Sequence, residues 1–151
     1  RFDLTVNQFA RELALGREMV VFDADTWRPY CHVVDFATLI RRVIEAPADR
    51  ISFEVFNAGG NVNNSTKRTL IETIQAQIPD TKIEIQQEGP DPRNYRVDFA
   101  KVVNTLHFVP TWTVEDGVRQ VVESVRAGLF HGDDHIYGNY KLIAPWDQAS
   151  K

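Results

Sequence analysis

Apolar and polar positions along this chain follow two periods, and the switches between them mark its elements. Leu4, Phe9, Leu13 and Leu15 recur at near-helical spacing, with Asp3 placed to cap the start and Gly16 to end it. Glu18–Phe22 reads as a strand and residues 23–26 as a turn. Tyr30–Val34 is a short apolar extended run. Asp35 is then placed to cap a helix whose Phe36, Leu39, Ile40, Val43 and Ile44 make one apolar stripe. Pro47 stops it. Ile51–Gly60 reads as a strand closed by a glycine turn, and Ser65 caps a helix running to Gln77. Lys82–Gln86 alternates as a strand, and Pro90 and Pro92 mark a loop. Asp98 caps a short helix to Leu106. Thr113 and Asp116 predict a capping box for a last helix over 114–128, with Gly117 inside it at some cost.

This pattern predicts a mixed α/β domain with three clear strands and about five helices. Three strands are few for a self-contained sheet, because both edges would stay exposed. The chain has no initiator Met, and it opens inside what reads as structure. Both features suggest a part of a larger protein. Residues 1–127 read as one domain and 128–151 as a C-terminal arm or tail, with four aromatics and no period.

Composition narrows the chemistry. With 151 residues, 43% hydrophobic and 25% charged, the chain is an ordinary globular domain. A net charge of -4 argues against general nucleic-acid binding, which needs a basic surface to displace counterions. No apolar run approaches the roughly 20 residues that span a bilayer. The one cysteine, Cys31, excludes an intrachain disulfide and fits a reducing, cytoplasmic compartment.

No G-x-G-x-x-G turn and no phosphate-binding loop ending in G-K-S/T occurs. The glycines of N-A-G-G-N-V-N-N (57–64) read as a tight turn needing positive φ. His131 and His135 in H-G-D-D-H could share a helical face, but Gly132 favours a polar loop, and no metal is expected. Cys31 and His32 are adjacent in an extended run, so they point to opposite faces and cannot form a nucleophile–base pair. Arg28 and Arg93 stand apart from these. A guanidinium fork suits bidentate phosphate binding, whereas a surface ion pair is an arginine's commoner fate. By spacing alone the surface ion pair is the favoured reading for each.

In order and spacing the motifs resemble the C-terminal half of the extended short-chain dehydrogenases/reductases, the NAD-dependent nucleotide-sugar epimerases and dehydratases. The resemblance runs from Arg1 to about Ala127. Residues 18–37, E-M-V-V-F-D-A-D-T-W-R-P-Y-C-H-V-V-D-F-A, look like the family's strand, turn and arginine signature. F-E-V-F-N-A-G-G (53–60) resembles its strand ending in N-x-G. D-P-R-N-Y-R-V-D-F-A-K-V-V-N-T-L (91–106) resembles its closing D-x-R-x-Y motif. The likeness implies a nucleoside-diphosphate sugar as partner. Arg28 and Arg93 would bind the diphosphate, Asp91 the ribose, and the backbone of Val20 and Phe22 the base. It also implies NAD and a Y-x-x-x-K catalytic pair, both in an N-terminal Rossmann half missing from this chain. Tyr137 and Lys141 fit that spacing in letters only, so no catalytic residue is expected here. Pro29 replaces an acidic residue, the turn at 23–26 lacks its usual glycine, and His107 stands where a glycine is usual. The alternative is a non-catalytic nucleotide- or partner-binding module. Either could form a homo-oligomer.

Overall fold

Strand pairing in this protein is split between two short sheets. The structure is a computed structural model that describes residues 1–87, 93–130 and 137–138. Strand β1 (Met19–Phe22) pairs in parallel with β4 (Ile83–Gln86). Strand β2 (Trp27–Pro29) pairs antiparallel with β3 (Asn64–Thr66), setting Arg28 opposite Ser65. Six α-helices are formed among the described residues: α1 (Thr5–Ala14), α2 (Val33–Glu45), α3 (Ala48–Ile51), α4 (Lys67–Gln77), α5 (Ala100–Leu106) and α6 (Val114–Arg126).

The mixed α/β class is thus observed, but with four short strands among the described residues instead of three. The expected strand at Ile51–Gly60 does not form. Helix α3 takes its first residue, Phe53 adopts φ of 62°, and residues 54–58 have no strand partner among the described residues. A strand needs a neighbour to bond its backbone, and none of the described strands lies beside this segment. Phe56 and Ala58 pack inward, while Phe53 (106%) and Val55 (80%) stay exposed. Strands β2 and β3 escaped the sequence reading because each is only three residues long.

Two apolar clusters hold these elements. Helices α1, α4 and α6 enclose the first, with Ala10, Leu13, Leu70, Ile74, Val118 and Val122 buried against Val21 of β1. Val118 and Val122 are four apart, so they meet the same neighbours. Each fully buried aliphatic contributes roughly 1.5–3 kcal/mol. The second cluster joins Leu39 of α2 to Phe99, Val102, Leu106 and Phe108. Helix α2 therefore has two apolar faces. Leu39 and Val43 turn to the core, whereas Phe36, Ile40 and Ile44 form a second stripe that is exposed, Ile44 by 77%.

Helix ends show where local chemistry suffices. Gly16 follows α1 at φ of 72°, as its position predicts. The box at α6 is complete: Asp116 N donates to Thr113 Oγ1 at 3.1 Å, and Thr113 N donates back to Asp116 Oδ2 at 3.0 Å. Three expected caps shift. Leu4, not Asp3, stands at the N-cap position of α1, with no side-chain cap bond, and the Asp3 carboxylate takes Arg1 Nε and Nη2 at 3.0 and 2.7 Å. Thr66, not Ser65, caps α4 by accepting from Thr69 N at 3.0 Å, while Ser65 is buried in β3. His32 caps α2, its Nδ1 accepting from Val34 N at 3.2 Å, which releases Asp35 for another task. Asp98 sits one residue before the assigned cap of α5, yet its Oδ1 still accepts from Ala100 N at 2.9 Å.

The Thr113 bonds, with Arg119 beside them, hold the Asp116 carboxyl down from its ordinary 3.8 to about 2. A depressed carboxyl stabilises the fold above its unfolded value and loses that contribution as pH falls through its folded one. Melting Asp116→Asn beside the wild-type chain should show wild type the more stable at pH 6. The gap should narrow below pH ~4 and vanish near pH ~2.

The glycine turn behaves as read. Gly59 has φ of 144°, and a Cβ there would lie 2.8 Å from Phe99 Cε1. A Cβ on Gly60 would lie 2.5 Å from Pro110 Cγ, so backbone and ring pack directly. His107 is the reverse case. It ends α5 in the left-handed region (φ 50°, ψ 31°), where a Cβ is strained. His107→Gly relieves that strain but loosens the unfolded chain. The balance should raise stability by about 0.5–1 kcal/mol, or roughly 2–4 °C in melting temperature by calorimetry.

Candidate functional site

Strand β2 is built to present one arginine. Its β3 edge is paired, and its other edge is closed by the segment 93–96. Asn94 Oδ1 accepts from Trp27 N at 2.9 Å. Arg28 Nη1 donates to Trp27 O at 2.7 Å and also to Arg93 O. Successive side chains of a strand point to opposite faces, so Trp27 and Arg28 turn apart. The segment grips both faces. The Arg28 guanidinium lies 5.8 Å from the Tyr95 ring centroid, and Arg96 lies 4.3 Å over the Trp27 ring. Asn64 secures the end of this segment, its side chain donating to Val97 O at 2.9 Å and accepting from Val97 N at 3.1 Å.

The expected site residues thus fall into place unevenly. Arg28 and Arg93 come together, joined through the Arg93 carbonyl. Asp91 lies outside the described residues. Val20 and Phe22 lie on β1, both exposed. Met19 N and Asp23 N bond to β4, at Lys82 O and Gln86 O. Alternation therefore aims the backbone groups of Val20 and Phe22 at the opposite edge. Lys67 Nζ takes one of them, the Phe22 carbonyl, at 2.8 Å.

Beside Arg28 opens a cleft of about 440 Å³ between the first turn of α1, residues 28–33 and α6. His32 forms part of its wall, stacked on Trp112 at 4.2 Å and bonded through Nε2 to Gln120 Oε1 at 3.0 Å. Cys31 also lines it. Burial, with Asp35 nearby, raises the thiol, so it stays protonated and a poor nucleophile. Tyr30 and Asn63 line it as well; nothing in their local pattern marks them, because among the described residues it is packing that leaves the Tyr30 hydroxyl and Asn63 Oδ1 without hydrogen-bond partners. The H-G-D-D-H stretch and Lys141 lie outside the described residues; Tyr137 packs edge-on against Phe2 and Phe130. Among the described residues no cluster of His, Cys, Asp or Glu could hold a metal ion, and no helix is long and apolar enough to cross a membrane.

The fold is shared with solved nucleotide-sugar enzymes. UDP-glucuronic acid 4-epimerase from Bacillus cereus, in complex with UDP-glucuronic acid and NAD, superposes with a TM-score of 0.73 at 18% identity, over 86% of this chain and 41% of that one. UDP-glucose 4-epimerase from Thermotoga maritima, with UDP-glucose, gives 0.69 at 23%, over 84% and 40%. dTDP-glucose 4,6-dehydratase from Bacillus anthracis, with NAD, gives 0.65 at 24%, over 83% and 40%. The chain spans about two fifths of the length of these structures. By fold over most of its length, and by sequence in residues 4–59, which match the NAD dependent epimerase/dehydratase family, this chain is similar to those enzymes.

Proposed function

We propose that this chain is the nucleotide-sugar-binding, C-terminal part of an NAD-dependent nucleoside-diphosphate-sugar epimerase or dehydratase. The observation that carries the reading is the oriented Arg28 guanidinium, fixed against the 93–96 segment and lying in sequence between β1 with its open edge and the cleft. A diphosphate meeting Arg28 and Arg93 gains charge-assisted bonds without an overall basic surface. The backbone of Val20 and the N–H of Phe22 then offer a base its hydrogen bonds. Asp91, two residues from Arg93, is assigned the ribose.

The described residues do not form a site for NAD. Among the described residues no strand runs through a glycine turn into a helix, so no cradle for a dinucleotide pyrophosphate is formed. We assign NAD and the catalytic Tyr–Lys pair to a Rossmann half outside this chain. The exposed stripe Phe36, Ile40 and Ile44, with Phe53 and Val55, is the kind of apolar surface that a second domain covers. Residues 1–127 then form the binding unit and 128–151 an arm.

Calorimetric titration with UDP-, dTDP-, ADP- and GDP-glucose tests the reading. At least one should bind saturably, and more weakly at high salt. No binding by any of the four overturns it.

A further inference from the structure

Among the described lysines, Lys82 pairs with Glu18 and Lys101 with Glu54. Lys67 does neither. Its ammonium donates to the Phe22 carbonyl at 2.8 Å, at an exposed position, and meets no carboxylate among the described residues. The backbone fixes this placement. Lys67 opens α4, its own N donating to Thr26 O at 3.3 Å, and Arg68 N donates to Ala24 O at 2.8 Å. The helix start is thereby tied to the turn that follows β1. An ammonium carries three N–H donors, and the bond to Phe22 uses one.

The bonded carbonyl stands on the open edge of β1. A strand residue turns its N–H and C=O to the same edge. This edge therefore presents, in order, Val20 N–H, Val20 C=O, Phe22 N–H and last the Phe22 C=O, occupied by the Lys67 ammonium. The pattern is donor, acceptor, donor, with a charged donor beside the last. Uracil and thymine carry the complement along one edge: a keto oxygen, N3–H and a second keto oxygen. Cytosine has an amino group in place of the second oxygen and no hydrogen on N3; adenine also shows an amino group. An amino group brought to Phe22 N–H and the ammonium sets donor against donor.

We propose that Lys67 selects the base. Its ammonium bonds the keto oxygen that also accepts from Phe22 N–H, which favours uridine and thymidine diphosphate sugars over cytidine ones. This rests on the nucleotide-sugar reading and names the nucleotides which that site takes. A bond to a charged donor is stronger than one between neutral groups, so Lys67 sharpens a choice that the strand edge alone makes weakly.

Lys67→Met tests it, because the change keeps the length of the side chain and removes its charge and donors. Both chains are titrated with UDP-glucose and CDP-glucose, which differ only in the base. The wild-type chain should prefer UDP-glucose by roughly tenfold or more, and in Lys67→Met that preference should fall by about tenfold. The fall should come from UDP-glucose. CDP-glucose should bind no more weakly, since the freed Phe22 carbonyl can accept from its amino group. An equal loss for both makes Lys67 a phosphate contact and overturns the proposal. So does an unchanged preference, the result if Lys67 only fastens α4 to β1. A wild-type chain that binds the two equally overturns it without any variant. Binding of ADP- or GDP-glucose but of no pyrimidine nucleotide overturns the base assignment alone, whereas no binding by any of them overturns the nucleotide-sugar reading itself.

Discussion

Asp35→Ala should cost about 3–5 kcal/mol of stability, a drop on the order of 10 °C in melting temperature. Asp35 is 2% exposed, in the first turn of α2. Its Oδ1 accepts from Thr111 N and Thr111 Oγ1, both at 3.0 Å, and its Oδ2 accepts from Trp112 N at 2.9 Å. Hydrogen bonds to a charged acceptor contribute roughly 1.5–3 kcal/mol each, and they are not additive. Alanine removes the acceptor and leaves two backbone N–H groups without it. Asp35→Asn, of the same shape, keeps one carbonyl oxygen and should lose roughly half as much. Urea melts give the comparison, with a lower midpoint at unchanged slope. The effect reaches the site, because Trp112 stacks on His32 and Thr113 lines the cleft. The alanine variant should therefore also bind nucleotide less tightly under conditions where it stays folded.

That residue shows how far the sequence could be read. A carboxylate before an apolar helix looks like a cap, and the local pattern contains no sign of partners 76 and 77 positions away. The α6 capping box, the end of α1 at Gly16 and strands β1 and β4 were legible because their causes lie within a few residues. Residues 51–60 have strand composition, but forming a strand depends on a neighbour, and none is present among the described residues. The stripe on α2 was visible as apolar residues, yet only packing shows that it divides into a buried and an exposed face. The site divides the same way. Arg28 and Arg93 stand out by residue type. That Arg28 reaches the backbone of Arg93 is a fact of tertiary structure, as are the isolated oxygens of Tyr30 and Asn63.

Arg28→Ala should weaken binding of the nucleotide sugar by about ten- to a hundredfold, since a charge-assisted bond contributes roughly 1.5–3 kcal/mol. The cause is orientation as much as charge. Two backbone carbonyls fix the guanidinium through Nη1, so the plane of the fork is set before any phosphate arrives, and little rotamer freedom is lost on binding. Arg28→Lys separates the two contributions. It restores the charge but not the planar fork, so it should recover only part of the lost affinity. Arg93→Ala should cost less than Arg28→Ala, because Arg93 is an exposed residue on a turn rather than in a paired strand. The alanine variant also loses the bonds to Trp27 O and Arg93 O, so melting curves should show it less stable by about 1–3 kcal/mol, and binding is compared where both chains stay folded. The decisive comparison is salt. If Arg28 meets a diphosphate, affinity of the wild-type chain falls with ionic strength more steeply than that of Arg28→Ala. Equal slopes would mean that Arg28 serves only to hold the 93–96 segment, and the diphosphate would then have to be sought elsewhere on the chain.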